Sequence, residues 1–300
     1  VIFADSFGHE TYMIQAAVEF PDVQFCHATG TMAHTENIAN YHNAFASIYE
    51  GRYLAGIAAG MKLNELKKDG KLKGDAPVMG YVGAFTYAEV ISGYTSFYLG
   101  AKSVCPDVTM KVQFTGSWYD ENEEKSAAQA LIASGCDLIS QHADSLGAPT
   151  ACEDAGVPNI SYNGSTYEAG ENTFIISSAI NWQPYFLYII KCANTGVAID
   201  TDWTGSIATG SVVLSGLNQD VAAAGTKEAL EAAIDDLKSG AVKVFDTEKD
   251  NYILKDGAKV TTYTADVDTD EEFTPDTEAV VEGAFKESIF RSAPYFDLQI

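Results

Sequence analysis

Between Val112 and Asn163 the chain reads VQFTGSWYDENEEKSAAQALIASGCDLISQHADSLGAPTACEDAGVPNISYN. Three apolar runs, VQFT, DLISQ and NISY, are separated by two segments with helical spacing. This alternation predicts strand, helix, strand, helix, strand in a parallel sheet. In such a sheet the carboxyl ends of the strands share one edge, and ligands bind along it. The residues that follow the three runs are Trp118-Tyr119-Asp120, Gln141-His142-Ala143-Asp144 and Tyr162-Asn163-Gly164. Two acids, an amide and several aromatic rings therefore converge on one crevice.

The same alternation extends in both directions. Val1-Ile2-Phe3-Ala4 predicts a buried strand with Asp5-Ser6-Phe7-Gly8-His9 as its carboxyl-end loop, then a helix to about Phe20 and a second strand over Val23-Gln24-Phe25-Cys26. A polar loop from Thr29 to Asn40 leads into a long helix, roughly Ala44 to Lys68, whose LAGIAAG segment permits close packing on a sheet. The charged, glycine-punctuated stretch from Lys67 to Asp75 reads as a domain boundary. A second series starts at Val78, continues through the loop Gly83 to Glu89 and a helix to about Val104, and joins the strand over 109–115 and the stretch above in a sheet of four parallel strands. Thr173 to Ser178 and the helix after Pro184 read as a return crossing to the first domain. The fold class is α/β, with parallel sheets in two domains divided near residue 76 and a return to the first domain after about residue 180. A hairpin is expected around Asp256-Gly257.

The chain has 300 residues, enough for two domains of ordinary size. Its 42 acidic and 18 basic residues give a net charge of -24, which repels phosphate backbones and anionic membranes, so nucleic acid is excluded as a partner. No run approaches the roughly 18 apolar residues of a membrane span. The five cysteines are widely spaced with no CxxC pair, and Cys26, Cys136 and Cys192 sit where a small hydrophobe would serve. The acidic tract Asp266 to Glu272 lacks the glycine and terminal glutamate of a calcium loop and reads as solvated. No metal and no cofactor are expected.

Trp118, in the polar context SWYDENEE, reads as a stacking platform for a planar ligand rather than a core residue. Asp120 reads as the N-cap of the helix starting near Asn122, as a ligand contact, or as both at once. Asp144 reads as a hydrogen-bond acceptor for a ligand, with His142 structural. Phe85 and Glu89 lie on the loop before a helix, where Glu89 either complements the helix dipole or meets the ligand. Trp182, just before Pro184, is placed for hinge packing or ring stacking. No GxSxG, HExxH or GxxxxGK[ST] is present.

Taken in order, Asn40-Tyr41, the run from Arg52 to Gly60, Gly80 to Phe85 with Glu89 to Gly93, Trp118-Tyr119-Asp120 with Lys125, Gln141 to Asp144, and Asn181-Trp182 resemble the basic membrane protein (BMP) family. These are substrate-binding lipoproteins of ABC importers, similar to purine nucleoside receptors. The resemblance covers most of residues 1–215. It implies a type I periplasmic-binding-protein fold, with two doubly wound parallel-sheet lobes joined by a hinge and a purine nucleoside or nucleobase clamped between them. Residues 1–76, rejoined by about 180–215, would form lobe 1, residues 77–179 lobe 2, and about 216–300 would be distributed between lobe 2 and the hinge. It implies no catalysis, an ABC permease as membrane partner, an extracytoplasmic, lipid-anchored location and a monomer. By resemblance Phe7, Phe45, Tyr119 and Asn163 join Trp118, Asp120, Asp144 and Trp182 as ligand contacts. Family members open with two further βα units, on the order of 60 residues that this chain lacks. Ser92 stands where many relatives have arginine, and Asn163 where nucleoside-binding relatives have aspartate; an amide donates as well as accepts. A nucleoside- or sugar-processing enzyme using Asp120, Asp144 and His142, and the ectodomain of a sensory receptor, are the alternatives.

Overall fold

The computed structural model describes residues 1–248, 261–265 and 277–290. The first elements are β1 (Ile2–Ala4), α1 (Glu10–Glu19), β2 (Phe25–Ala28), α2 (Ala33–Glu36), β3 (Tyr41–Ala46) and α3 (Ile48–Lys68). There follow β4 (Val78–Gly83), α4 (Ala88–Val104), β5 (Thr109–Phe114), α5 (Glu121–Ala133), β6 (Leu138–His142), α6 (Gly147–Ala155), β7 (Asn159–Tyr162) and β8 (Phe174–Ile180). The next are α7 (Gln183–Thr195), β9 (Asp202–Gly205), β10 (Val212–Leu214) and α8 (Thr226–Ser239).

The strands form two main sheets. The first runs β1-β2-β3-β9, all parallel. The second runs β10-β8-β7-β6-β4-β5, parallel except for the β10 edge. It therefore has six strands rather than four, because β8 continues the parallel series and β10 pairs back along it. The stretch Thr173 to Ser178 thus belongs to the second sheet, and the return to the first sheet falls later, at Ile180 to Gln183.

Two readings of the amino half are corrected. The expected helix from Ala44 begins at Ile48, and Tyr41–Ala46 is a buried central strand between β2 and β9. The segment YHNAFA contains no β-branched residue, so position between two partners overrides local propensity. The long helix α3 packs on α4, β8 and β10, all on the second lobe. The chain accordingly changes lobe at Ser47, not in the 67–75 connector. Small residues set how closely α3 and α4 approach: a Cβ on Gly56 would lie 2.0 Å from the Phe97 carbonyl oxygen, and one on Gly100 2.0 Å from that of Tyr53.

Three crossings join the lobes, at 46–48, 180–183 and 205–212, and backbone bonds tie them into one hinge. Ser47 N–H donates to the Gly205 carbonyl at 2.7 Å, and Asn181 N–H to that of Ser211 at 2.7 Å. Ile207 N–H donates to Glu50 Oε2 at 2.7 Å. Glu287–Phe290, a short C-terminal helix, packs on β3, β9 and α4 beside these crossings. All five cysteines are buried and free. The turn expected at Asp256-Gly257 and the acidic tract Asp266 to Glu272 lie outside the described residues.

Candidate functional site

The carboxyl edges of both sheets face one cleft, where a cavity of about 290 Å3 lies between the lobes. Asp5, Ser6 and Phe7 after β1 and Thr29 after β2 line it from the first lobe. Glu89 at the start of α4, Trp118 after β5, His142 and Asp144 at the end of β6, and Tyr162 and Asn163 at the end of β7 line it from the second. Ile180 and Trp182 close it at the hinge. A neighbouring cavity of about 300 Å3 shares Asp144, Tyr162 and Asn163 and continues past Gln141, Ser145, Ser165 and Thr166.

Aromatic rings from both lobes meet at the mouth. Phe7 lies parallel to Tyr87 at 5.1 Å between centroids and to Trp118 at 6.0 Å. Tyr87 and Trp118 are themselves parallel at 5.9 Å, and Phe85 meets the Trp118 ring edge-on at 5.4 Å. Trp118 is anchored through its carbonyl oxygen, which accepts from Asp144 N–H at 2.8 Å. Such a set of near-parallel faces suits a flat ligand, which gains dispersion and apolar burial against them.

The floor is polar. The Tyr162 hydroxyl donates to Glu89 Oε1 at 2.6 Å, and His142 Nε2 lies 3.5 Å from the same oxygen. The His142 ring packs on Tyr162 with centroids 3.8 Å apart. Asp144 stays open to solvent at the rim. Its carboxyl is nonetheless pushed above the usual range by desolvation; the charge of His142 works against this, and Glu89 and Asp5 add to it. The lining carries carboxylates at Asp5, Glu89 and Asp144 and no lysine or arginine.

Three lining residues hold left-handed backbone without being glycine: Ser6 at φ 86°, Thr29 at φ 65° and Asn163 at φ 64°. Such conformations persist where surrounding bonds enforce them. His27 Nε2 donates to the Ser6 carbonyl at 2.9 Å, and Asn163 N–H donates to that of Ser178 at 2.7 Å. The segment after Thr29 is held by buried Glu10, whose Oε1 accepts from Thr31 N–H at 2.8 Å, Met32 N–H at 2.9 Å and the Tyr41 hydroxyl at 2.9 Å.

A profile described as ABC transporter substrate-binding protein PnrA-like matches residues 1–243. The chain belongs to this family. A Haloferax volcanii protein, whose name describes an ABC transporter glucose-binding protein, is 34% identical over 263 residues, 85% of this chain and 63% of its own length. A purine-binding protein of Brucella abortus is 36% identical over 196 residues, 65% of this chain and 52% of its own. The chain thus spans less than two thirds of either relative. The solved ABC transporter solute-binding protein of Aeropyrum pernix superposes with a TM-score of 0.68 at 16% identity, covering 81% of this chain and 76% of that one. The fold of this PnrA-like chain is the type I periplasmic-binding-protein fold.

Of the residues singled out from sequence, Phe7, Glu89, Trp118, Asp144, Asn163 and Trp182 line the cleft. Four do not. Phe45 is fully inside the core, because β3 is covered on both faces. Phe85 braces Trp118 from outside the cavity, and Tyr119 points to solvent with 67% of its surface exposed. Asp120 is the N-cap of α5, its Oδ1 accepting from Asn122 N–H at 3.1 Å and Glu123 N–H at 3.0 Å. Trp182 lines the cleft and also meets Phe3 edge-on at 6.0 Å. Thr29 and Tyr87 were not anticipated, while Asp5, Ser6 and Tyr162 stood in predicted strand-end loops without being singled out as contacts.

Proposed function

We propose that this chain is the ligand-binding part of an extracytoplasmic solute receptor for an ABC importer, and that it closes on a purine nucleoside or nucleobase. The observation that carries this reading is the set of near-parallel rings of Phe7, Tyr87 and Trp118, drawn from opposite lobes above a floor of hydrogen-bonding groups. A flat heterocycle would stack on such faces after they part as the lobes open, and the adjoining cavity bordered by Ser145, Ser165 and Thr166 suits the hydroxyls of a sugar. The Brucella relative named for purine binding supports the base, and the Haloferax relative named for glucose binding supports a sugar-accepting part.

The mechanism is hinge closure. Bonds at Ser47, Asn181 and Ile207 let the crossings move as a unit, and a ligand touching both lobes favours the closed arrangement by its differential affinity. Specificity comes from leaving Glu89, Asp144 or Asn163 unpaired when a ligand lacks the matching group. The ligand leaves chemically unchanged, handed to a permease at the membrane, where a lipid anchor on the whole protein would hold the receptor. No helix among the described residues is long and apolar enough to cross a membrane. Isothermal titration with adenosine, guanosine, inosine, adenine, riboflavin and glucose tests the assignment: at least one purine is expected to bind tightly. Flat heats with every purine, or binding of glucose alone, would reject it.

A further inference from the structure

Arg52, on α3, is completely buried, and no carboxylate among the described residues forms an ion pair with it. Its Nη1 donates to the Ser161 carbonyl at 3.0 Å and its Nη2 to Ser140 Oγ, while Nε has no partner. The guanidinium carbon lies 5.3, 4.9 and 5.7 Å from the ring centroids of Tyr81, Phe97 and Tyr162. Burying a charge this way is costly unless an opposite charge lies close by. Tyr162, one of the three rings around the guanidinium, reaches a carboxylate in turn, its hydroxyl donating to Glu89 Oε1 at 2.6 Å.

Arg52, Tyr162 and Glu89 thus form a chain of contacts, with the guanidinium over the Tyr162 ring and the Glu89 carboxylate at its hydroxyl. Glu89 lines the cleft, its Oε1 accepting from that hydroxyl. Both His142 ring nitrogens are buried beside it without a hydrogen-bond partner. A carboxylate only accepts hydrogen bonds, so a ligand group that meets Glu89 must donate one. With Asp5 and Asp144 also lining the cleft and no lysine or arginine among the described lining residues, an anionic ligand meets carboxylates on both lobes. Such repulsion is stronger at partly desolvated sites than in water.

We propose that Glu89 is the specificity-determining acceptor, that Arg52 is a positioning residue acting on it through Tyr162, and that the ligand is an uncharged or cationic heterocycle presenting an N–H donor, with phosphorylated analogues excluded. This rests on the heterocycle reading above and narrows it by charge and donor pattern.

The test is isothermal titration of adenosine, adenosine 5′-monophosphate and riboflavin into the wild type, Glu89→Gln, Tyr162→Phe, Arg52→Met and the Arg52→Met/Glu89→Gln double variant, with melting curves for each. Adenosine is expected to bind at least 100-fold more tightly than its monophosphate. Glu89→Gln should weaken adenosine by about 10- to 100-fold. Tyr162→Phe should weaken it by about 5-fold with the fold intact. Arg52→Met should weaken it in the wild-type background and have little further effect beside Glu89→Gln, which a purely structural role would not produce. Equal binding of the monophosphate, a Glu89→Gln effect within twofold, or equal Arg52→Met effects in both backgrounds would overturn the proposal while leaving the purine reading standing. If Arg52→Met does not fold, Tyr162→Phe decides the link alone: an unchanged affinity breaks it. Binding of riboflavin without any purine rejects the purine reading, and the same variants then read the proposal on the flavin imide N–H. Failure of the wild type to bind any of adenosine, guanosine, inosine, adenine and riboflavin rejects both.

Discussion

The two lobes build their faces of the cleft by different means. On the second lobe Glu89, His142, Tyr162 and Asn163 stand at strand ends or a helix start around a six-stranded sheet, and the buried Arg52 supports them from behind. On the first lobe the contacts come from two loops of a four-stranded sheet, with Ser6 and Thr29 in left-handed backbone. A floor fixed by packed strands keeps its geometry before the ligand arrives, whereas loops can be carried in as a cover. The comparison assigns recognition to the second lobe and closure to the first. It is broken most directly at the rings. Trp118→Ala should lower affinity for the bound purine by about 100-fold, the range of a hot-spot aromatic, and Phe7→Ala by about 10-fold. Calorimetric titration of both variants measures the ratio, and equal losses would place recognition on both lobes alike.

The cover has its own support, and a second test addresses it. Glu10 is 4% exposed and gathers backbone donors of Thr31 and Met32 together with the Tyr41 hydroxyl. Hydrogen bonds to a charged acceptor contribute about 1.5–3 kcal/mol each before compensation. Glu10→Gln keeps the volume but places an amide N–H where backbone N–H groups already point. It should lower stability by about 2 kcal/mol in urea unfolding and weaken ligand binding several-fold through the Thr29 loop. Loss of stability with unchanged affinity would show that the cover does not depend on this carboxylate.

What could be read from the sequence follows from where information is local. The strands, their loops and the residues after them were legible because apolar runs and polar strand ends alternate, which selected Trp118 and Asp144 and placed Asn163 at a strand end and Glu89 at a helix start, whereas Phe7 rested on the family resemblance. Phe45 was not legible, because a strand buried on both faces has no alternation to show which way its ring points. The lobe to which α3 belongs was hidden for a related reason: eleven of its residues are buried, so its pattern reveals close packing but not which sheet it packs on. Asp120 suited capping, ligand contact or both, and only the folded positions of the Asn122 and Glu123 N–H groups establish the cap. Arg52 gave no signal, since its role depends on residues more than 80 positions away, Ser140 and Ser161, brought beside it by β6 and β7.

The smallest effect lies at the hinge between the two faces. Glu50 accepts from Ile207 N–H, tying the first crossing to the third. Burial pushes its carboxyl from an ordinary 4.5 up to about 7, with the Ile207 bond acting in the opposite direction. Tyr49 beside it is pushed up by burial as well, with Glu50 and Glu287 adding negative charge. A carboxyl whose folded pKa exceeds its unfolded one favours the fold in its protonated form. Its contribution is therefore complete below pH 4.5 and is lost as pH rises through about 7. Glu50→Gln keeps an oxygen for Ile207 and removes the titration. Every other group titrates in both proteins, so the difference between their stability curves isolates Glu50. Across the window from pH 4.5 to 7 the wild type should lose on the order of 1 kcal/mol relative to the variant, read as a converging or crossing urea midpoint. Ligand affinity should follow the same window if the tie governs closure, because the crossing loop at Ile207 moves with the hinge. Parallel stability curves would show that Glu50 does not titrate within the fold, and parallel curves for affinity alone would confine it to stability and leave closure to the backbone bonds at Ser47 and Asn181.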